Sequence, residues 1–240
     1  MGLGKKIISY FDNNLYDQYR DAWDNRIFRE LTLKYLTKQD TLLDIGAGRG
    51  ALPEMNFKGQ AAYCVGVDPD EVVKTNPYVQ EAHVGFGHEM PFLASERFDV
   101  VVSNNVLEHI DDPDDFFTEV ARVMKKGGIF ITKTPNLYHY MPTISRLTPF
   151  AFHDFYGRLI GRPSHDTFPT FYRANTKQKQ KYYAKKAGFQ IESMQILEGR
   201  PEYLRFNALT YTVGMLYERI VNLLGLDGLK IVIFTVYRKI

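Results

Sequence analysis

Two hundred and forty residues, 45% of them apolar and 24% charged, suffice for one α/β domain with a large core. Thirty basic residues against 28 acidic ones leave a net charge of +2, too balanced for wholesale binding to nucleic acid. The single cysteine, Cys64, excludes an intrachain disulfide; in the apolar run AAYCVGV it reads as an inert buried thiol in a reducing, cytoplasmic setting.

No apolar run reaches the roughly 18 residues of a membrane-spanning helix. The opening MGLGKKIISYFDNN lacks the apolar core and cleavage site of a signal peptide. Apolar residues at 15, 19, 23, 27, 31 and 35 predict an amphipathic helix over 15–36. TLLDI (41–45), AAYCVGVD (61–68) and EAHVG (81–85) read as strands, and FDVVVSN (98–104) as a strand buried on both faces. DDPDDFFTEVARVMKKGG reads as a helix capped by Asp112, with Pro113 at its start, Lys125 and Lys126 in its last turn and Gly127 as its stop. GIFITKTPN is a fifth strand. This alternation predicts a doubly wound, mostly parallel sheet.

After Asn136 the pattern breaks. Residues 137–175, rich in Pro, His and aromatics, predict an inserted cap, partly helical and partly irregular. From Thr134 to Arg200 ten Lys/Arg stand against four Asp/Glu, which suits a solvated basic face or a cap for an anionic or sugar-like substrate. TKQKQKYYAKKAGF resumes as a helix stopped at Gly188. QIESMQIL and LKIVIFTVYRK are strands, the last expected to pair antiparallel at the sheet edge. Between them RFNALTYTVGMLYERIVNLLG is a helix. The very apolar stretch 201–226 predicts packing on the domain, a homodimer face or a peripheral membrane contact.

The chemistry centres on TLLDIGAGRG. Gly46, Gly48 and Gly50 follow a strand at every second position, and Asp68 ends the next strand, 18 residues after Gly50. Glycines let a ligand approach the backbone, and a carboxylate there accepts from ribose hydroxyls. Gly46, Gly48 and Ala51 also satisfy the relaxed dinucleotide pattern G-x-G-x-x-A, which keeps an NAD-dependent oxidoreductase and a ligand-free turn open. Asp44 suits a ligand bearing an ammonium group and would repel a pyrophosphate.

With FDVVVSNNVLEHI and RVMKKGGIFI added, the chain resembles class I S-adenosylmethionine-dependent methyltransferases. LLDIGAGRG is similar to their first motif, VGVDPD to their second, and the two later stretches to those of the fourth and fifth strands; KAGFQIES is similar to the entry to the sixth. The resemblance covers 41–133 and extends towards the C-terminus. It implies a Rossmann-like fold of seven strands with an antiparallel last one, in a single domain 1–240. The expected division is a helical segment 1–37, a cofactor-binding core 38–136, the cap 137–175, and a C-terminal part 176–240 carrying the helical insertion 201–226. It implies that Gly46, Ala47, Gly48 and Gly50 line the methionyl and ribose side of S-adenosylmethionine. Asp44 would lie near its amino group, Asp68 at the ribose, Pro69 and Asp70 beside the adenine, and Asn104 and Asn105 facing the sulfur. The chain departs from the family at Phe86, where an acid often binds the adenine amine; backbone around Gly87 and His88, or Glu89, would substitute.

Methyl transfer from a sulfonium is an in-line displacement whose leaving group departs neutral, so the protein's task is alignment. A hydroxyl acceptor also needs a base. His109 in LEHI is the first candidate, followed by His139, His165 and Asp166 in the cap, with no metal set expected. Tyr172 and Arg173 suit an anionic substituent. SNNVLEH stands where amino methyltransferases acting on adenine or glutamine carry Asn/Asp-Pro-Pro-aromatic, and no nucleic-acid module is appended. The expected reaction is O-methylation of a sugar, glycan or other small polar molecule, the mix of Pro, His and aromatics resembling glycan-modifying enzymes. The alternative from another class is a non-catalytic cofactor-binding scaffold acting through 201–226.

Overall fold

A computed structural model describes residues 3–19, 22–147 and 168–240. The chain divides into a sheet unit (25–134, 170–195, 233–240) and a helical unit (1–24, 135–169, 196–232).

Seven strands form one sheet: β1 (Thr41–Ile45), β2 (Tyr63–Asp68), β3 (Glu81–Val84), β4 (Phe98–Asn104), β5 (Met124–Pro135), β6 (Phe189–Leu197) and β7 (Val232–Lys239). Their order is β3-β2-β1-β4-β5-β7-β6. β1 pairs parallel with β2 and β4, β2 with β3, and β4 with β5, so the expected mostly parallel sheet is present, with antiparallel C-terminal strands. β7 lies between β5 and β6 and not at the edge, where it was expected. Its side chains explain the place: Val232 to Tyr237 are buried without interruption, whereas β6 exposes much of its length, as an edge strand does.

The core of the sheet unit gathers Leu43, Ile45, Val65, Val67 and Val101 against α3 (Pro113–Val123), which contributes Phe116, Phe117, Val120 and Val123. Tyr237 of β7 stacks on Phe130 of β5 at 5.3 Å, closing the layer next to α5 (Lys177–Lys186). Asp112 caps α3 as expected, accepting from the amides of Asp114 and Asp115. The other end differs from the expectation. α3 stops at Val123, and Lys125, Lys126 and Gly127 belong to β5. The amides of Glu96 and Arg97 take the Arg122 and Val123 carbonyls at 3.0 and 2.8 Å, so no glycine cap is needed.

The predicted helix over 15–36 is interrupted. A 3-10 turn holds Asp17–Tyr19, Ala22 adopts φ 56°, and α2 runs Trp23–Leu33; a separate α1 spans Leu3–Asn14. The helical unit also holds α4 (Tyr140–Leu147) and α6 (Ala208–Leu223). α1 lies against α6, with the Phe11 ring 5.6 Å from Tyr211. Tyr211 donates to Asp12 of α1 at 2.7 Å, and Tyr16, just past the end of α1, donates to the buried Glu218 of α6 at 2.8 Å. Among the described residues no helix is long and apolar enough to cross a membrane.

Candidate functional site

β1 delivers the chain into three left-handed glycines: Gly46 (φ 80°), Gly48 (φ 48°) and Gly50 (φ 73°). Two of them are required by neighbours as well as by φ. A Cβ at Gly46 would stand 2.3 Å from Cγ2 of Val106, and one at Gly50 would stand 2.5 Å from Oδ1 of Asn76. At Gly48 the nearest atom to such a Cβ is Oδ2 of Asp68, at 4.0 Å, so that position is open on the loop's own side. The loop is held in shape by its surroundings. Gly46 donates to the Val67 carbonyl at 2.8 Å, and the Asn76 amide donates to Ala47 and Gly48 carbonyls at 2.9 and 3.2 Å. Asn76 was missed in the sequence; its signal was the Asn-Pro pair soon after the second strand.

Asp68, at the carboxyl end of β2, accepts the Gly48 amide on Oδ2 and the Asp70 amide on Oδ1, both at 2.9 Å. Asp70 is itself occupied as a cap, accepting from Val72 at 2.9 Å, while Pro69 is half-buried beside it. Asp44 sits in mid-sheet opposite Gly66 and Val102. Its Oδ1 is buried with no hydrogen-bond partner among the described residues. Burial, and then the charge of Asp68, push its carboxyl up to about 7. An unpartnered buried carboxylate beside a left-handed glycine turn fits a ligand carrying an ammonium group and a ribose. It does not fit a dinucleotide. The element after the turn is a three-residue 3-10 turn, Pro53–Met55, so no helix N-terminus follows to receive a pyrophosphate.

Gly87 has a packing cause: a Cβ there would stand 2.7 Å from Ile45 and 2.8 Å from Phe116. His88 and Glu89 are exposed, and the exposed Phe86 ring lies 5.4 Å from the His88 ring. After β4, Asn104 donates to Asn25 at 3.0 Å, and Lys133 donates to the same Asn25 oxygen at 2.6 Å. Asn25 thus ties together the ends of β4 and β5, a link no local pattern announces. Oδ1 of Asn104 is buried without a partner among the described residues, and Asn105 is exposed at φ 55°.

The next turn, Leu107–His109, places a buried Glu108 beside a half-buried His109. Burial pushes the Glu108 carboxyl up, and Thr134 donates to its Oε2 at 2.9 Å. The Glu108 carbonyl accepts the amides of Phe171 and Tyr172 at 2.7 and 3.1 Å, strapping that segment to the turn. Arg173, expected to be available to an anion, is ion-paired with Asp111 at 2.8 Å.

The sheet unit holds Asp44, Gly46, Ala47, Gly48, Gly50, Asp68, Pro69, Asp70, Gly87, His88, Glu89, Asn104, Asn105 and His109. His139 belongs to the helical unit and is fully buried, its Nε2 3.6 Å from Glu198 and its basicity lowered to about 3 by burial. His165 and Asp166 lie outside the described residues. Among the described residues no group of three or more metal-binding side chains occurs.

Residues 43–132 match a family described as a methyltransferase domain. A ubiquinone biosynthesis O-methyltransferase of Coxiella burnetii (strain RSA 331 / Henzerling II) is 32% identical over 185 residues, covering 68% of this chain and 78% of that one. Its counterpart from Bradyrhizobium sp. (strain ORS 278) is 33% identical over 101 residues, so this chain spans 40% of that relative and the match 40% of this chain. Two solved structures share the fold. Geranyl diphosphate C-methyltransferase from Streptomyces coelicolor A3(2), in complex with Mg2+, geranyl diphosphate and S-adenosyl-L-homocysteine, gives a TM-score of 0.59 at 16% identity, covering 98% of this chain and 82% of that one. The YcgJ protein from Bacillus subtilis gives 0.55 at 19% identity, covering 89% and 98%.

Proposed function

The chain belongs to the class I S-adenosylmethionine-dependent methyltransferases, and we propose that it methylates a hydroxyl oxygen of a small-molecule acceptor. S-adenosylmethionine is its cofactor and, when bound, supplies an electrophilic methyl group. In our reading Asp44 pairs with the cofactor's ammonium group, Asp68 accepts from its ribose, and the turn Gly46–Gly50 lies against it.

The observation that carries the acceptor reading is the Glu108–His109 pair, in the turn that begins two residues after Asn105 at the end of β4. As the hydroxyl oxygen bonds to the methyl carbon, the C–S bond breaks and sulfur leaves as a neutral thioether. The hydroxyl proton then needs a destination. We assign it to the His109 imidazole, with the buried Glu108 fixing the turn that carries it. The relatives named for O-methylation in ubiquinone biosynthesis support oxygen as the methylated atom. A sugar or glycan hydroxyl is the narrower version of this proposal and rests on the composition of 137–175.

The test is methyl transfer from radiolabelled S-adenosylmethionine to a panel of aromatic hydroxyl compounds, sugars, nucleotide sugars and amines. Label in an oxygen ether supports the reading and its chemical class selects the acceptor. Label only in amines, or only at carbon, overturns it.

A further inference from the structure

Helix α6 has two faces of opposite fate. Tyr211, Gly214, Glu218 and Val221, spaced three, four and three apart, are buried. Gly214 is pressed close enough that a Cβ would stand 2.7 Å from Pro201. On the other side Leu209 is 75% exposed, Val213 56%, Leu216 55%, Ile220 53% and Leu223 85%. We propose that this outer stripe is the seam on which a second copy of this chain docks, α6 against α6.

The spacing favours a helix as occupant. The exposed apolar positions of α6 are four, three, four and three apart, the 3.5-residue repeat of a helix–helix seam. Their identities point the same way. Leu209, Leu216 and Leu223 fall on one set of heptad positions, and the β-branched Val213 and Ile220 fall on the other. In a parallel pair, Leu at d with β-branched residues at a is the combination that favours two strands. A stripe that is its own complement is what a two-fold interface requires, since each copy presents the same surface.

Charge argues in the same direction. α6 carries two charged residues, Glu218 and Arg219. Glu218 is buried under Tyr16, and Arg219 turns back to it at 3.4 Å with its guanidinium 5.6 Å from the Tyr16 ring. The stripe itself carries no charged residue, and Arg219 beside it, 56% exposed, is the one cation α6 could offer an oppositely charged partner. The outer face also lacks the Lys/Arg-rich polar flank by which a helix lies on an anionic bilayer. The area is adequate. The five stripe residues together with Leu224, itself 63% exposed, present roughly 700 Å2 of mostly apolar surface, close to the ~800 Å2 that each partner buries in a standard interface.

Sedimentation of the full chain over a concentration series tests the seam. The expected result is a reversible dimer of 27.8 kDa chains. Leu216→Lys places a charge at the centre of the stripe and is expected to give monomer at every concentration while S-adenosylmethionine binding is retained. Should that variant fail to fold, Leu216→Ala with Ile220→Ala keeps helix propensity and is expected to weaken the dimer at least ~10-fold. A monomeric wild type overturns the proposal, as does a dimer indifferent to these substitutions. Flotation of wild-type monomer with phosphatidylcholine–phosphatidylglycerol vesicles, lost in Leu216→Lys, would assign the stripe to a bilayer instead.

Discussion

The amide of Gly48 donates to Oδ2 of Asp68 at 2.9 Å, while Oδ1 of the same carboxylate holds the amide of Asp70. The end of β2 and the glycine turn after β1 are thus fixed to one another before any ligand arrives, and the carboxylate keeps lone pairs for a diol. Asp68→Ala removes the acceptor and releases both amides. A hydrogen bond to a charged group contributes about 1.5–3 kcal/mol, so loss of even one to the ribose is expected to raise the Kd for S-adenosylmethionine by at least ~10-fold. Asp68→Asn should fall between the two. Titration calorimetry reads both; wild-type affinity in Asp68→Ala would remove the ribose assignment.

The glycines separate by cause. Gly46→Ala drives a methyl to 2.3 Å from Val106 in a left-handed backbone, and is expected to destabilise the fold as well as abolish cofactor binding. Gly48→Ala meets nothing nearer than 4.0 Å, so its cost to stability is only the backbone strain, about 1 kcal/mol. Its effect is expected in affinity instead. Thermal denaturation of the two variants, with and without S-adenosylmethionine, distinguishes them: equal losses of melting temperature would contradict the geometry.

Much of this was legible because it is local. β1 and β4 were bounded correctly, since an apolar run ending in Asp-x-Gly or Ser-Asn-Asn carries its own stop. Asp112 announced itself as a cap by preceding a proline. What local pattern could not carry was set by partners distant in sequence. The end of α3 depends on the amides of Glu96 and Arg97, so Gly127 was misread as a helix stop. Asn25 and Asn76 act on loops 79 and 28 residues away from them. β7 leaves the edge because β6, earlier in the chain, takes it. Ala22 breaks a helix whose apolar spacing ran on undisturbed.

The assignment of a base can be separated from binding. His109→Gln keeps a polar side chain at the turn while removing the proton acceptor. If His109 takes the acceptor's proton, kcat falls by about 10²–10⁴ and cofactor affinity does not change. Glu108 should behave differently. Glu108→Gln retains an oxygen for the Thr134 hydroxyl, and its cost in stability is expected to stay near ~1 kcal/mol, whereas Glu108→Ala takes away the acceptor of that hydroxyl's proton, leaving Thr134 only the bond it accepts from the Asn175 amide, and costs about 1–3 kcal/mol. A His109→Gln enzyme with full kcat on its acceptor would move the base elsewhere.

Asp44 makes cofactor binding depend on pH in a direction that can be stated. Its carboxyl lies at about 7 in the folded protein against 3.8 ordinarily, because it is buried without a partner and beside Asp68. The folded state therefore holds this proton more tightly than the unfolded one, and its contribution to stability is lost as pH rises from about 4 through about 7. An ammonium ligand needs the carboxylate, so binding must release the proton below that pH. Affinity for S-adenosylmethionine is expected to strengthen by up to ~10-fold per unit as pH rises towards 7. It should weaken again above about 8, where the ligand's own α-amino group loses its proton. Asp44→Asn removes the buried charge, so its unliganded form is expected to melt several degrees higher at pH 8 and to bind weakly, without the acidic limb. Calorimetry between pH 5.5 and pH 9 checks this, and an acidic limb that survives in Asp44→Asn would show that another group titrates.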